Sequence, residues 1–106
     1  MAKFMIQARY TAEGTRGLLK EGGSARRAVV KKVVEDLDGK LETFYFAFGD
    51  ADTVVICDVP DVASALALSM AVNASGQVHV KTTPLISPEE VDAASHKAVQ
   101  YRAPGK

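Results

Sequence analysis

The chemistry available to this sequence rests first on four polar side chains in two strand-like runs. In Lys3 to Tyr10 (KFMIQARY), Gln7 and Arg9 fall on one face, and Phe4, Ile6, Ala8 and Tyr10 on the other. In Gln77 to Thr83 (QVHVKTT), His79 and Lys81 alternate with Val78 and Val80. If the two runs are neighbours in one sheet and their polar faces coincide, Gln7, Arg9, His79 and Lys81 form one basic cluster. His79 is then a candidate acid or base, since imidazole as a class changes charge in the physiological range. Arg9 is a candidate clamp for a carboxylate or enolate. The same four residues equally suit a solvated strand face or a set of interfacial hydrogen bonds, since binding needs groups that converge in a concavity.

Other constellations are thinner. Tyr45 and Asp58 fall on one face of a hairpin, where a phenol could donate to an oxyanion with the carboxylate as orienting base. Tyrosine in a strand is also an ordinary core-edge residue, and Asp58 could help cap the helix that follows. Gly22-Gly23-Ser24 with Arg26 and Arg27 places free amides at a helix start, which can receive an anion. No Gly-Lys-Ser/Thr follows, so the Walker pattern is absent, and an ordinary Ser24 cap accounts for the run. Cys57, in an apolar strand, reads as a buried inert thiol. His79 and His96 are isolated and no Cys or His has ligand spacing, so neither a metal nor a cofactor is implied. His96 reads as a surface residue.

The elements that must position these residues follow from periodicity. Lys3 to Tyr10 is the first strand. Thr11 to Gly23 carries four glycines and is expected as a loop with about two helical turns, Thr11 serving as a possible cap. Ser24 to Asp38 is a helix with Val30, Val33, Val34 and Leu37 inward and Val29 at the margin; Gly39 is the expected left-handed terminator. Leu41 to Phe48 and Thr53 to Val59 form a hairpin around Gly49-Asp50-Ala51-Asp52. A four-residue loop sets Phe48 opposite Thr53, Phe46 opposite Val55 and Phe44 opposite Cys57. A helix from Pro60-Asp61 to about Ala74, the strand 77–83 and a last helix capped by Ser87 with Pro88 and Glu90 complete the chain. The tail from Tyr101 is expected to be loose. The order is βαββαβ plus a C-terminal helix, an α+β ferredoxin-like sandwich with a four-stranded antiparallel sheet.

Bulk properties bound the possibilities. At 106 residues the chain is one domain, 1–106. Thirteen Lys and Arg balance thirteen Asp and Glu, which gives no electrostatic case for nucleic acid or an anionic membrane. One cysteine excludes an internal disulfide, the apolar run Val62 to Val72 is too short to span a bilayer, and a cytoplasmic location is expected by default.

A partner of its own kind is expected. The helix segment VASALALSMAV has no continuous polar stripe, although a helix in a two-layer fold has its back to water. The helix-free sheet face also needs cover if it carries Phe44, Phe46 and Phe48, or Val54 and Ile56.

The stretches YTAEGTRGLLKEGGSARR, DGKLETFYFAFGDADTVVI, ALALSMAVNASGQVHVKTTPL and SPEEVDAA resemble the GYD domain family from Phe4 to Tyr101. The resemblance implies the dimeric α/β-barrel superfamily, whose members include cofactor-independent oxygenases, isomerases, dehydratases and haem-handling proteins; it brings no particular reaction. Gly49 and Asp52 match the family's Gly-Tyr-Asp signature, but Ala51 stands at the tyrosine position. The expected function is a homo-oligomer with a cleft for a small anionic or aromatic ligand at the sheet and subunit interface. The alternatives are a cofactor-independent isomerase or oxygenase using His79, Arg9 or Tyr45, and a purely structural or regulatory assembly unit.

Overall fold

The computed structural model describes residues 1–106. Eight elements follow in order: β1 (Ala2–Tyr10), α1 (Ala12–Glu21), α2 (Gly23–Asp36), β2 (Lys40–Phe46), β3 (Thr53–Val59), α3 (Val62–Ala74), β4 (Val78–Pro84) and α4 (Pro88–Ser95). The strands form one antiparallel sheet in the order β2-β3-β1-β4. The α+β, four-stranded arrangement is as expected from the sequence, with α1 added before α2.

Strand alternation builds the core. Phe4, Ile6 and Ala8 of β1, and Thr53, Val55, Cys57 and Val59 of β3, are all buried, while the residues between them are not. Their face receives Val34 from α2 and Ala65 and Leu68 from α3. Truncating Leu68 to Ala in such a setting costs about 2–5 kcal/mol. The opposite face carries no helix.

Several local expectations are corrected. Within Thr11 to Gly23, the segment Ala12–Glu21 is a full ten-residue helix, so the stretch is not mainly loop. Thr11 does cap it, accepting from the Gly14 N–H at 3.2 Å. Gly14, counted against the helix, lets it approach: a Cβ there would overlap the Gln77 carbonyl. α2 begins one residue before Ser24, with Gly22 at the cap position and no side-chain cap bond. Its left-handed terminator is Asp38 (φ 60°) and not Gly39. Gly39 is needed for close approach instead, because a Cβ would lie 2.5 Å from the Asp58 carbonyl oxygen.

The hairpin register differs from expectation by two residues next to the turn and by three beyond the β-bulge between Leu41 and Thr43. Phe46 pairs with Thr53, Phe44 with Val55 and Leu41 with Cys57. Phe48 has a positive φ of 54°, so the strand ends before it. It then stacks on Phe46 at 5.9 Å, well exposed. A shift of two preserves the faces, so Phe44 and Phe46 lie on the helix side; they do not burden the helix-free face. Val54 and Ile56 do.

α3 is capped by Asp61, whose carboxylate accepts the Ser64 N–H at 2.8 Å. Asp58 takes no part in that cap and pairs with Lys3. The outer side of α3 exposes Val62, Leu66 and Met70 at four-residue spacing, with no polar stripe, as its sequence implies. α4 has the expected capping box of Ser87 and Glu90. Every residue of α4 is exposed. The last hydrogen bond from this segment to the sheet is Leu85 N–H to the Lys3 carbonyl, 2.9 Å. The C-terminal arm therefore stands away from the body, and the radius of gyration is 17.0 Å against about 13 Å for a domain of this length.

Candidate functional site

An apolar concavity lies between α2 and α3, over the middle of the sheet. α2 packs on β2, whereas α3 packs on β3 and β4. The helices diverge and leave a cleft of about 240 Å³ between them. Its floor is Ile6, Ala8, Tyr10, Thr53, Val55, Phe44, Val78 and Val80. Arg26, Val29, Val30 and Val33 form one wall, since positions three and four apart share a helix flank. Leu68, Ser69 and Val72 form the other. Val29 and Val33 are 43% and 39% exposed, which marks them as the lip. The expected inward stripe of α2 thus divides: Val34 seals the core and Val33 faces the opening.

Polar groups gather at one end of this cleft. Tyr10 ends β1 opposite Val78, Thr53 begins β3, Arg26 lies in the first turn of α2, and Ser75 and Gln77 follow the end of α3. Thr53, the one buried polar residue of the chain, donates its hydroxyl to the Tyr10 phenol oxygen at 3.2 Å. Two hydroxyl protons serve one bond, so the pair keeps a proton to offer. Midway along, the Ser69 hydroxyl donates to the Ala65 carbonyl at 3.0 Å and meets the Thr82 hydroxyl at 2.5 Å, and is fully engaged. Apolar walls with a few placed polar groups are the usual make-up of a small-molecule site.

The cluster expected from the two polar strand runs forms, but on the helix-free face. Arg9 pairs directly with His79, and Gln7 with Lys81. Arg9, His79 and Lys81 are exposed and Gln7 is half-buried. The Arg9 guanidinium donates to the Asp50 carbonyl at 2.6 Å, which ties it to the hairpin turn. Tyr45 and Asp58 share this face but are not brought together. Tyr45 sits beside Val54, so Asp58 is four residues away along β3, roughly 13 Å. Asp58 instead shares Lys3 with Glu42, and the Lys3 ammonium is held above its usual range chiefly by the Glu42 hydrogen bond.

Cys57 is 1% exposed, and burial pushes its thiol up. His96 is an exposed residue at the end of α4. At the start of α2, Gly23, Ser24 and Arg27 line a second, shallower hollow with Phe44 and Phe46. Nothing on the sequence singled out the cleft between the helices. Its signal was parity: Tyr10 follows Phe4, Ile6 and Ala8, and Thr53 precedes Val55 and Cys57, so both hydroxyls had to point toward the helices.

Fold and cleft define a small α+β sandwich with an apolar concavity under its helices. The GYD domain model matches residues 4–95, and the chain belongs to the GYD domain family. No curated protein and no solved structure gives a significant match. Ala51 is 8% exposed and in phase with Thr53, on the helix side of the sheet. No helix is long and apolar enough to cross a membrane.

Proposed function

We propose that this GYD domain protein is a homo-oligomer that binds a small, mainly apolar molecule in the cleft between α2 and α3. The observation that carries the reading is the cleft itself: 12 of its 17 lining residues are hydrophobic, with polar groups confined to few positions. The chain leaves the lip valines Val29 and Val33 open to solvent at a cost that a guest would remove. Titration with n-octanol, followed by NMR of the Val30, Val55 and Leu68 methyl groups, tests it. Those methyls should shift, and Val30→Phe, which fills the cleft, should abolish the shifts. Octanol that leaves all three methyls unmoved would sink the reading.

Self-association is supported by surfaces that one copy leaves uncovered. The helix-free sheet face carries Met5, Val54, Ile56 and Tyr45 at its middle, with Tyr45 70% exposed. Its ends differ in charge: Arg9, His79 and Lys81 at one, Glu42 and Asp58 around Lys3 at the other. A copy laid face to face about a two-fold axis that runs across the strands sets each basic end over an acidic one, which fits an isologous dimer. Such packing is the dimeric α/β-barrel arrangement that the family resemblance implies.

A second reading has its own support. In that dimer the Arg9–His79 and Gln7–Lys81 pairs would lie enclosed between sheets, where a cofactor-independent isomerase or oxygenase could use His79 as acid or base and Tyr45 as donor. A screen of carbonyl and phenolic substrates tests it. Turnover unchanged in both His79→Ala and Tyr45→Phe removes these residues from any mechanism.

A further inference from the structure

The cleft carries a single charge, at one end, and that asymmetry selects a class of guest. Building on the ligand-binding reading above, we propose that the cleft takes an amphipathic monoanion, an aliphatic or aryl carboxylate. Its head meets Arg26 and the Tyr10–Thr53 hydroxyls, and its tail lies along Val30, Val55 and Leu68.

Arg26 is the one charged residue in the lining. Its guanidinium takes part in no hydrogen bond within the protein, and its Nε is buried without an acceptor. The Glu21 carboxylate stands 3.3 Å from that Nε, close enough to attract but without forming the bond. A guanidinium has five N–H donors in a planar fork that matches a carboxylate, so the donor set here is prepared and unfilled. The spare hydroxyl proton of Tyr10 and Thr53 lies at the same end. No acidic residue lines the cleft to repel an anion. A neutral guest would leave the guanidinium with Glu21 as its one counter-charge and its fork of donors unused, and a cationic guest would meet it as a like charge.

Size narrows the class further. A cleft of about 240 Å³ holds on the order of eight non-hydrogen atoms at roughly 30 Å³ each. That suits a medium-chain or single-ring acid. Beyond Arg26 toward Val33 the walls are aliphatic except for Ser69, whose hydroxyl is already engaged with Ala65 and Thr82.

The test uses three probes that share one tail: n-octanoate, n-octanol and n-octylammonium, titrated calorimetrically into the full chain. Octanoate should bind at least about tenfold more tightly than octanol, the margin of a charge-assisted hydrogen bond, and octylammonium most weakly. Arg26→Gln should erase the octanoate margin while octanol binding stays as it was, which also shows that the cleft is intact. Arg26→Lys should keep part of the margin. Equal affinity for octanoate and octanol in the native protein overturns the anion assignment while leaving the cleft reading in place. A margin that survives Arg26→Gln overturns the role of Arg26. If none of the three binds, both readings fall together.

Discussion

The Asp52 carboxylate accepts the backbone N–H of Tyr10 at 2.9 Å, and the Asp52 N–H donates to the Ala8 carbonyl at 2.8 Å. One residue of the hairpin turn therefore holds the end of β1 from both sides. Arg9, between them in sequence, reaches the same turn through the Asp50 carbonyl. Asp52 has a structural task that needs no ligand. Asp52→Ala leaves the Tyr10 N–H without its acceptor and should lower stability by roughly 1.5–3 kcal/mol, the worth of a hydrogen bond to a charged group. Urea denaturation measures it, and Asp52→Asn, which keeps an acceptor, should lose less. An unchanged midpoint for Asp52→Ala would remove this role.

Gly14 is the second fixed point at this end of the molecule. Alanine is the better helix former by about 1 kcal/mol, so helix propensity alone makes Gly14→Ala stabilising. Contact decides otherwise, because the new methyl would meet the Gln77 carbonyl, itself bonded to Thr11 N–H at 2.9 Å. Gly14→Ala should destabilise by roughly 1–3 kcal/mol, the scale of overpacking. Gly17, with open space around it, is the control: Gly17→Ala should stabilise. The opposite order in thermal melts would refute the close approach.

The Cys57 thiol is held neutral, chiefly by burial and next by the Asp58 charge, with Lys3 opposing. Only the thiolate attacks disulfide reagents, so native protein at pH 8 should react with Ellman's reagent orders of magnitude more slowly than urea-unfolded protein. A folded pKa above the unfolded one favours the fold fully below the ordinary thiol range and loses that advantage as pH rises from there through the raised folded value. Rapid native labelling at pH 8 would show that the core opens.

The Asp61 carboxylate lies below the ordinary range because the Ser64 hydroxyl and N–H both donate to it, slightly opposed by desolvation. A depressed folded pKa contributes stability above the unfolded value, near pH ~4, and loses it as pH falls through the folded one. Asp61→Ala should lower Tm by a few degrees at pH 7. The gap to the native protein should close as pH drops below about 4. A gap independent of pH would mean that the charge on the cap is immaterial.

The helix-free face predicts one more outcome. Ile56 is half-buried there, beside Met5 across the sheet. Ile56→Asp should preserve the fold by circular dichroism yet dissociate the oligomer in light scattering, because an unpaired charge is costly in an apolar contact. A native protein that is already monomeric at micromolar concentration defeats the assembly reading at once.

Much of this architecture was legible from period and punctuation. Two-residue alternation placed Phe4, Ile6 and Ala8 inward and put Gln7 and Arg9 beside Lys81 and His79, and Ser87-Pro88-Glu89-Glu90 announced a capped helix. The errors have local causes. Propensity counted Gly14 against α1, although tertiary contact requires a glycine there. Loop length set the hairpin register, but the left-handed Phe48 ended the strand two residues early. The cleft could not be read because it depends on how far α2 and α3 diverge. That is a property of packing between distant segments, and no spacing along Arg26, Val29, Val30 and Val33 encodes it.

α4 has a consequence for how the molecule behaves when dilute. Its capping box is complete, yet it is eight residues long and none is buried. Isolated helices of fewer than about 12 residues do not hold in water. Ile86, Val91, Val99 and Tyr101 in and around α4 are all well exposed on a single copy, and the oligomer proposed above is what would cover them. The amide protection of α4 is thus a built-in gauge of crowding. It should rise with protein concentration while that of β1 and β3 stays constant, and report the company the chain keeps without any label attached.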